Sequence, residues 1–218
     1  MPRFLALREL LEEGTLGTLT AVHYRMDRPV WKTNPETGLP WRLKARESGG
    51  GLFFDLGSHV LDLLDFLLGP MSLRGARARN LASPIEVEDS IAMLLETEAG
   101  APVCAVWNFA GFDTEDRLEL CGMRGRAVAS VFGDEPLLVQ TSEGERTIER
   151  PNQPHIQQPL IQTIVDALLK RGSCLSTGTS AARTSALMDA AVLEYYGSRD
   201  IGCWDHPASW PGRPGWLD

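Results

Sequence analysis

An aspartate, a histidine and a second aspartate occur in a stretch that is rich in leucine and phenylalanine, and their spacing places them on a shared surface. The stretch is residues 48–69, SGGGLFFDLGSHVLDLLDFLLG, and the three residues are Asp55, His59 and Asp62. On a helix, positions i and i+4 lie on one face, and position i+7 returns close to it. The three side chains are therefore predicted to form one polar stripe on a helix whose leucines face the core.

Three interpretations fit this polar stripe. It can be a solvated polar face with no further role. It can bind a metal, although the Asp–His pair supplies two ligands where a catalytic zinc uses three protein ligands. It can perform general acid/base chemistry, because an imidazole exchanges protons near neutral pH and a nearby carboxylate raises its basicity. The glycines before the helix favour a functional site, because they let a ligand approach its first turn.

Composition limits the classes of partner. The chain has 218 residues, enough for one large domain, and a net charge of −8. Nucleic acids and anionic membranes both attract basic surfaces, so we expect neither as a partner. No apolar run reaches the ~18–20 residues that span a bilayer. The four cysteines are widely separated, which is typical of reduced thiols, and we expect a cytoplasmic protein without a signal peptide.

Periodicity predicts the order of the elements. Helical patterns cover residues 3–13, 52–68, 156–171 and 179–196, and a strand is predicted within 15–26. Residues 27–50 form a long loop. A series of short strands follows at hairpin spacing, at residues 72–80, 88–98, 102–110, 115–121, 126–132 and 136–140. This order predicts an α+β fold in which helices cover one face of a predominantly antiparallel sheet.

The strands within 88–110 are apolar on both sides. One side carries Ile91, Met93 and Trp107, and the other carries Leu94 and Val106. A strand that is apolar on both faces is expected to be buried on both. We therefore predict that the second face of the sheet is used for oligomerisation.

Several short motifs together resemble the Gfo/Idh/MocA family of NAD(P)-dependent oxidoreductases. The resemblance covers nearly the whole chain, and its most specific part is the block GGG-x3-D-x-GSH. It rests on the following segments: Trp41-Arg42, Ser48 to Gly51, Asp55 to His59, Asp62, Leu68-Gly69, Glu88-Asp89, Gly122, Gly125, His155 to Pro159, Ser176 to Gly178, Arg183-Thr184 and Asp189.

This resemblance implies roles for individual residues. His59 is implied to be the acid/base of a dehydrogenase, with Asp55 orienting it or holding a neighbouring hydroxyl. Trp41 and Arg42 offer an aromatic face and a fork of donors that suit a sugar-like ligand, although packing of the loop explains them equally well. His155 could reach the same pocket, and a capping or surface role is the simpler interpretation.

The resemblance also implies a domain organisation. Family members join a dinucleotide-binding Rossmann domain to a domain with a large, open mixed sheet, and only the second is matched here. The chain contains neither G-x-G-x-x-G between a strand and a helix nor a Glu-Lys-Pro motif. We expect residues 1–218 to be a single domain of the second kind. NAD or NADP would then be bound by the absent domain, with no cofactor bound by this chain alone.

The remaining functional hypotheses differ in whether the protein belongs to an enzyme. The first is the substrate-binding and oligomerisation domain of a dehydrogenase that acts on a hydroxyl of a sugar, inositol or similar polyol. This would be a homodimer or tetramer without redox activity as an isolated chain. The alternative is a non-enzymatic binding or scaffold protein that keeps only the sheet domain. A metal-dependent hydrolase or isomerase built on Asp55 and His59 ranks last, because further ligands are missing.

Overall fold

A computed structural model describes residues 1–29, 38–198, 200 and 202–217, so part of the predicted loop at 27–50 lies outside the described residues. The helices are α1 (Pro2–Glu12), α2 (Ala45–Ser48), α3 (Ser58–Leu68), α4 (Gln158–Leu168) and α5 (Gly178–Tyr196). The strands are β1 (Leu19–Asp27), β2 (Met71–Arg79), β3 (Ser90–Thr97), β4 (Pro102–Asn108), β5 (Glu115–Gly122), β6 (Gly125–Ala129), β7 (Leu137–Thr141) and β8 (Gly144–Ile148).

The eight strands form one open sheet in the order β2-β3-β4-β1-β5-β6-β7-β8. Only β1 and β4 run parallel, because the chain inserts two strands and two helices between them; the other neighbours are antiparallel. The predicted α+β class and the predominantly antiparallel mixed sheet are confirmed. Strand β8 was not predicted, since its sequence GERTI is almost entirely polar and its residues are mostly exposed.

Helices cover one face of the sheet. Helix α5 packs on β2 and on α3, and α1 packs on α3. Most strand residues that point toward these helices are buried, and the following are at most 4% exposed: Ile91, Met93, Val103 and Trp107. On the opposite face, Leu94 and Val106 are 44% and 40% exposed in the single chain. The sheet therefore has one covered face and one open face with apolar side chains.

The centre of the core joins the sheet to the segment that carries the acid–histidine stripe. The fully buried indole of Trp107 lies 5.0 Å from the ring of Phe53 and 5.4 Å from that of Tyr24, measured between ring centroids. Phe53 opens a single π-helical turn, Phe53–Gly57, that runs directly into α3. The predicted helix at 52–68 is therefore two segments, and the π-turn is where it first touches the sheet.

Charged groups hold the helical layer together. Arg183 of α5 donates two hydrogen bonds, of 2.8 and 2.6 Å, to the carboxylate of Asp65 on α3. The Asp65 side chain is only 9% exposed, whereas the Arg183 side chain is 41% exposed, so the bidentate pair lies at the edge of the helical layer. The C-terminal segment packs behind α5, where the rings of Trp204 and Trp210 lie 5.0 and 4.7 Å from the ring of Tyr196.

Helix α4 departs from this arrangement, since none of its residues is buried. Its apolar side chains follow helical spacing but lie between 39% and 54% exposed at Leu160, Ile161, Ile164 and Val165. No helix in the described ranges is long and apolar enough to span a bilayer.

A buried carboxyl group supports the glycine turn before the π-helix. Glu88 is 1% exposed and accepts a hydrogen bond from the hydroxyl of Tyr196. A Cβ atom on Gly51 would lie 2.7 Å from Oε1 of Glu88, so only glycine leaves room for this carboxyl. Burial raises the pKa of Glu88 from 4.5 to about 7, with hydrogen bonds opposing the shift. Burial and the nearby Glu88 also raise the pKa of Tyr196 well above its ordinary value.

The raised pKa of Glu88 predicts a pH-dependent contribution to stability. Below pH 4.5 the group is protonated in both the folded and unfolded states. Between pH 4.5 and about 7 the group is charged in the unfolded state and still protonated in the folded state. The folded protein therefore loses stability as pH rises through this range. Relative to Glu88→Gln, the wild-type free energy of unfolding should fall by roughly 3 kcal/mol between pH 4.5 and 8. Urea denaturation across this range measures the difference, and parallel pH profiles of the two proteins would contradict it.

Candidate functional site

The candidate site is built around the glycine turn, the π-turn and the first turn of α3. Gly49 and Gly50 adopt φ values of 73° and 141°, which side chains rarely tolerate. A Cβ atom on Gly50 would also lie 2.3 Å from the ring of Phe54. These glycines let the chain reverse tightly after α2 and enter the π-turn at once. The π-turn then buries Phe53 and leaves Asp55 partly exposed.

Asp55 is joined to the loop that precedes α2. Its carboxylate accepts a hydrogen bond of 2.7 Å from Nε of Arg42, and both side chains are partly exposed. The guanidinium of Arg42 lies 4.5 Å from the centroid of the Trp41 ring, and the two groups make a cation–π contact. Trp41 itself is 51% exposed. The structure therefore brings together three of the five predicted site residues, Asp55, Arg42 and Trp41.

His59 lies in the first turn of α3 with its imidazole exposed. Its ring meets the ring of Phe132 edge to face, with centroids 6.0 Å apart and an interplanar angle of 81°. Within the described residues, the hydrogen bond of the Asp55 carboxylate is to Arg42 and none joins it to His59. The predicted orienting role of Asp55 therefore stays a prediction.

One turn further along α3, burial and the charge of Asp65 raise the pKa of Asp62, while His59 and Arg183 oppose the shift.

Phe132 is a site residue that the sequence analysis missed. It follows β6 in a turn that is tied down by Asp116. The Asp116 carboxylate accepts hydrogen bonds from the backbone N–H of Phe132 at 2.6 Å and from the hydroxyl of Ser130 at 2.5 Å. Its second oxygen accepts from the hydroxyl of Tyr24 at 3.0 Å. A phenylalanine at the end of a predicted strand carries no signal that it will face a histidine 73 positions earlier.

A second anchor fixes the same turn from the N-terminal helix. Arg3 is 3% exposed, and its Nη2 donates a hydrogen bond of 3.0 Å to the carbonyl of Val131. Burial lowers the pKa of Arg3, and Asp134, Asp116 and Glu135 oppose the shift. The turn that holds Phe132 beside His59 is thus attached to α1, β1 and β5 at once.

His155 lies apart from these residues in the contacts that the structure describes. It is exposed in the turn before α4, where its carbonyl accepts a hydrogen bond of 3.0 Å from the backbone N–H of Gln158. The carbonyl therefore helps to start the helix. Its suggested part in a substrate pocket stays a prediction.

A cleft of about 360 Å³ opens beside Asp55. Its described lining combines apolar and charged side chains. Leu43, Leu52 and Leu56 are each at most 8% exposed and form an apolar lining. The charged members of the lining are Asp55, Arg42 and Arg28, the last of which the sequence analysis did not select. A small cleft with an apolar lining and a few converging polar groups is the usual form of a small-molecule site.

The described residues do not fit a dinucleotide phosphate. A phosphate loop joins a strand to a helix and presents free backbone N–H groups. Here the glycine turn follows the short helix α2, and the buried Glu88 carboxyl occupies the space beside Gly51. In the same described ranges, no three potential metal ligands cluster closely enough to hold an ion.

The arrangement of His59 and Phe132 predicts a spectroscopic signature. Phe132→Leu removes the ring current at the imidazole, so the Cε1–H signal of His59 should move in a ¹H–¹³C spectrum. Asp116→Asn should produce a smaller change, because the amide nitrogen cannot accept the hydrogen bonds that a carboxylate oxygen accepts. Phe112→Leu is the matched control, since Phe112 is 87% exposed on another turn. A His59 signal that Phe132→Leu leaves unchanged would show that the rings are not in contact. The other histidine signals should stay in place: His23, His155 and His206.

Comparison with known proteins identifies the family to which the chain belongs. The family profile of the GFO/IDH/MocA C-terminal domain matches residues 4–128, more than half of the chain. The chain is 25% identical over 193 residues to Oxidoreductase P35 of Formosa agariphila, covering 87% of this chain and 58% of that protein. It is 23% identical over 213 residues to inositol 2-dehydrogenase of Rhizobium meliloti, covering 92% of this chain and 61% of that protein.

Solved structures share the fold. Levoglucosan dehydrogenase in complex with NADH superposes with a TM-score of 0.73 and 20% identity, covering 88% of this chain and 60% of that one. An oxidoreductase from Agrobacterium radiobacter, in complex with NAD+, L-tartaric acid and magnesium, gives a TM-score of 0.71 and 23% identity, covering 87% and 58%. The chain spans less than two thirds of the length of each of these four proteins. With its sheet, its glycine turn and its profile match, the chain belongs to the GFO/IDH/MocA C-terminal domain family.

Proposed function

We propose that this chain is the substrate-binding and oligomerisation domain of an NAD(P)-dependent dehydrogenase that acts on a hydroxyl of a sugar or polyol. The observation that carries the proposal is an exposed imidazole, His59, next to the cleft-lining turn that holds Asp55. Family membership and relatives that include an inositol and a levoglucosan dehydrogenase support the same class of substrate.

The chain's own part in such a reaction is proton transfer and positioning. Oxidation of an alcohol breaks a C–H and an O–H bond, and the hydroxyl proton needs a base. His59 is the base in this proposal, because its ring is accessible and its neighbour Phe132 limits its orientation. Asp55 and Arg42 offer an acceptor and donors to neighbouring hydroxyls. The nicotinamide would accept the hydride, and a separate dinucleotide-binding domain would hold it, because the glycine turn described here does not fit a phosphate.

The exposed apolar side of helix α4 supports this domain arrangement. Soluble monomers seldom expose a contiguous apolar stripe, and such surfaces usually mark an interface. In this proposal, the exposed side of α4, with Leu160, Ile161 and Ile164, packs against the dinucleotide-binding domain.

The open face of the sheet supports the proposed oligomer. Leu94 and Val106 are exposed on adjacent strands, with Ala92 and Cys104 beside them, so an apolar patch spans β3 and β4. A second copy of the chain packed face to face would remove this patch from water.

Substrate binding can be tested on the chain itself through its four histidines. Titration with myo-inositol or levoglucosan should move the Cε1–H signal of His59 in a saturable way, at millimolar concentrations because part of the pocket wall would belong to another domain. Asp55→Asn should weaken binding, since an amide cannot replace a carboxylate acceptor for two hydroxyls. His206→Gln removes a histidine outside the site and serves as the control. Equal, unsaturable shifts of all histidine signals would refute the sugar or polyol site and favour a non-enzymatic scaffold.

Self-association can be tested at the open face. Val106→Glu would place a carboxylate in the proposed contact, where burying an unpaired charge is costly. The wild-type chain should sediment as a dimer or larger oligomer at micromolar concentration, and Val106→Glu should sediment as a monomer. Met123→Glu adds the same charge at an exposed turn, where Met123 is 76% exposed, and should leave the oligomer intact. A monomeric wild-type chain would refute the proposed role of this face.

A further inference from the structure

The cleft beside Asp55 carries one positive charge that nothing in the described structure neutralises. Its described lining contains two guanidinium groups, Arg28 and Arg42, and one carboxylate, Asp55. Asp55 accepts from Nε of Arg42, which accounts for one of the two cations. The chain as a whole has a net charge of −8, so the charge of the cleft is opposite in sign to the net charge of the protein.

Arg28 has no carboxylate partner among the described residues. It lies directly after β1, and its backbone N–H donates a hydrogen bond of 2.9 Å to the carbonyl of Asn108, which fixes the start of its side chain. The nearest carboxylate in sequence, Asp27, is only 8% exposed and already accepts from Arg25 at 2.5 Å and from Asn108 at 2.7 Å. Arg28 is therefore held at the cleft with its guanidinium exposed and available.

The surroundings favour an anion at this position. The apolar lining of the cleft, formed by Leu43, Leu52 and Leu56, lowers the local dielectric and strengthens the field of a charge at its edge. A guanidinium presents a planar fork of donors that matches a carboxylate or a phosphate. Asp55 and the remaining N–H groups of Arg42, which line the same cleft, are suited to hydroxyl groups.

We propose that the cleft binds a hydroxylated substrate that carries an anionic group at one end, a carboxylate or a phosphate, with Arg28 holding that group. This inference rests on the proposed function and narrows its substrate class from sugars and polyols in general to sugar acids or sugar phosphates. Arg28 is then a specificity-determining residue, and Asp55 and Arg42 face the hydroxylated part of the same ligand.

Three ligands with the same six-carbon hydroxylated chain separate charge from hydroxyl recognition. D-Sorbitol is neutral, D-gluconate ends in a carboxylate, and D-sorbitol 6-phosphate ends in a phosphate. Each is titrated into the 218-residue chain at low salt, and its dissociation constant is measured by isothermal titration calorimetry. One or both anions should bind at least about fivefold more tightly than sorbitol, and the preference should shrink as salt screens the charge.

Variants at Arg28 show whether this residue causes the preference. Arg28→Gln should bring the dissociation constants of the anions to that of sorbitol measured with the same variant. Arg28→Lys keeps the charge without the fork and should retain part of the preference. Arg74→Gln removes the same charge from the edge strand β2, where Arg74 pairs with Glu96, and should behave as wild type.

The outcomes distinguish this inference from the function on which it rests. Gluconate binding more tightly than the phosphate identifies a sugar acid, and the reverse order identifies a sugar phosphate. Sorbitol binding as tightly as both anions overturns the anionic substrate and leaves the polyol site standing. A preference for anions that survives Arg28→Gln overturns the role of Arg28. Absence of binding by all three ligands overturns both the inference and the proposed function.

Discussion

The contact between Phe53 and Trp107 is the interaction on which the rest of the site depends. Trp107 lies on the covered sheet face near the end of β4, and Phe53 is the first residue of the π-turn, so their rings at 5.0 Å set where the turn meets the sheet. Once Phe53 is buried there, the apolar side of α3 continues inward with Val60, Leu61 and Leu64. The polar residues between them then have only the outer side of the segment available. Asp55 and His59 are exposed for this reason, before any ligand is considered.

Buried polar groups then determine how precisely that surface is held. Removing a carboxyl group from water is costly unless it gains hydrogen bonds, so each such group fixes the segments around it. Glu88 sits beneath the glycine turn and is tied to Tyr196, which also contacts Phe54 and the tryptophans of the C-terminal segment. Asp116 performs the same task for the turn of Phe132. The exposed residues of the site are therefore positioned by two carboxyl groups, Glu88 and Asp116, that do not line the cleft.

The structure also separates the site from the surfaces that surround it. The open face of the sheet lies opposite the helical layer, and the exposed side of α4 is a second apolar surface. A domain with this layout can bind a small molecule in its cleft while associating with other protein surfaces elsewhere. Such a division agrees with a member of a family whose relatives are longer than this chain.

The sequence by itself determined the elements with strong local patterns. The apolar periodicity of residues 52–68, the Gly69 stop and the alternation at Ile91 and Met93 follow from backbone geometry. The α+β class and the outward positions of Asp55 and His59 were therefore predictable. The motifs around the glycines also identified the family. Tertiary structure alone decided the π-turn, the parallel pairing of β1 with β4, and the polar strand β8. It also decided the pairing of Asp55 with Arg42, and it brought Phe132 and Arg28 to the site. These contacts join residues distant in the chain, and no local pattern encodes which loops will meet once the core has formed.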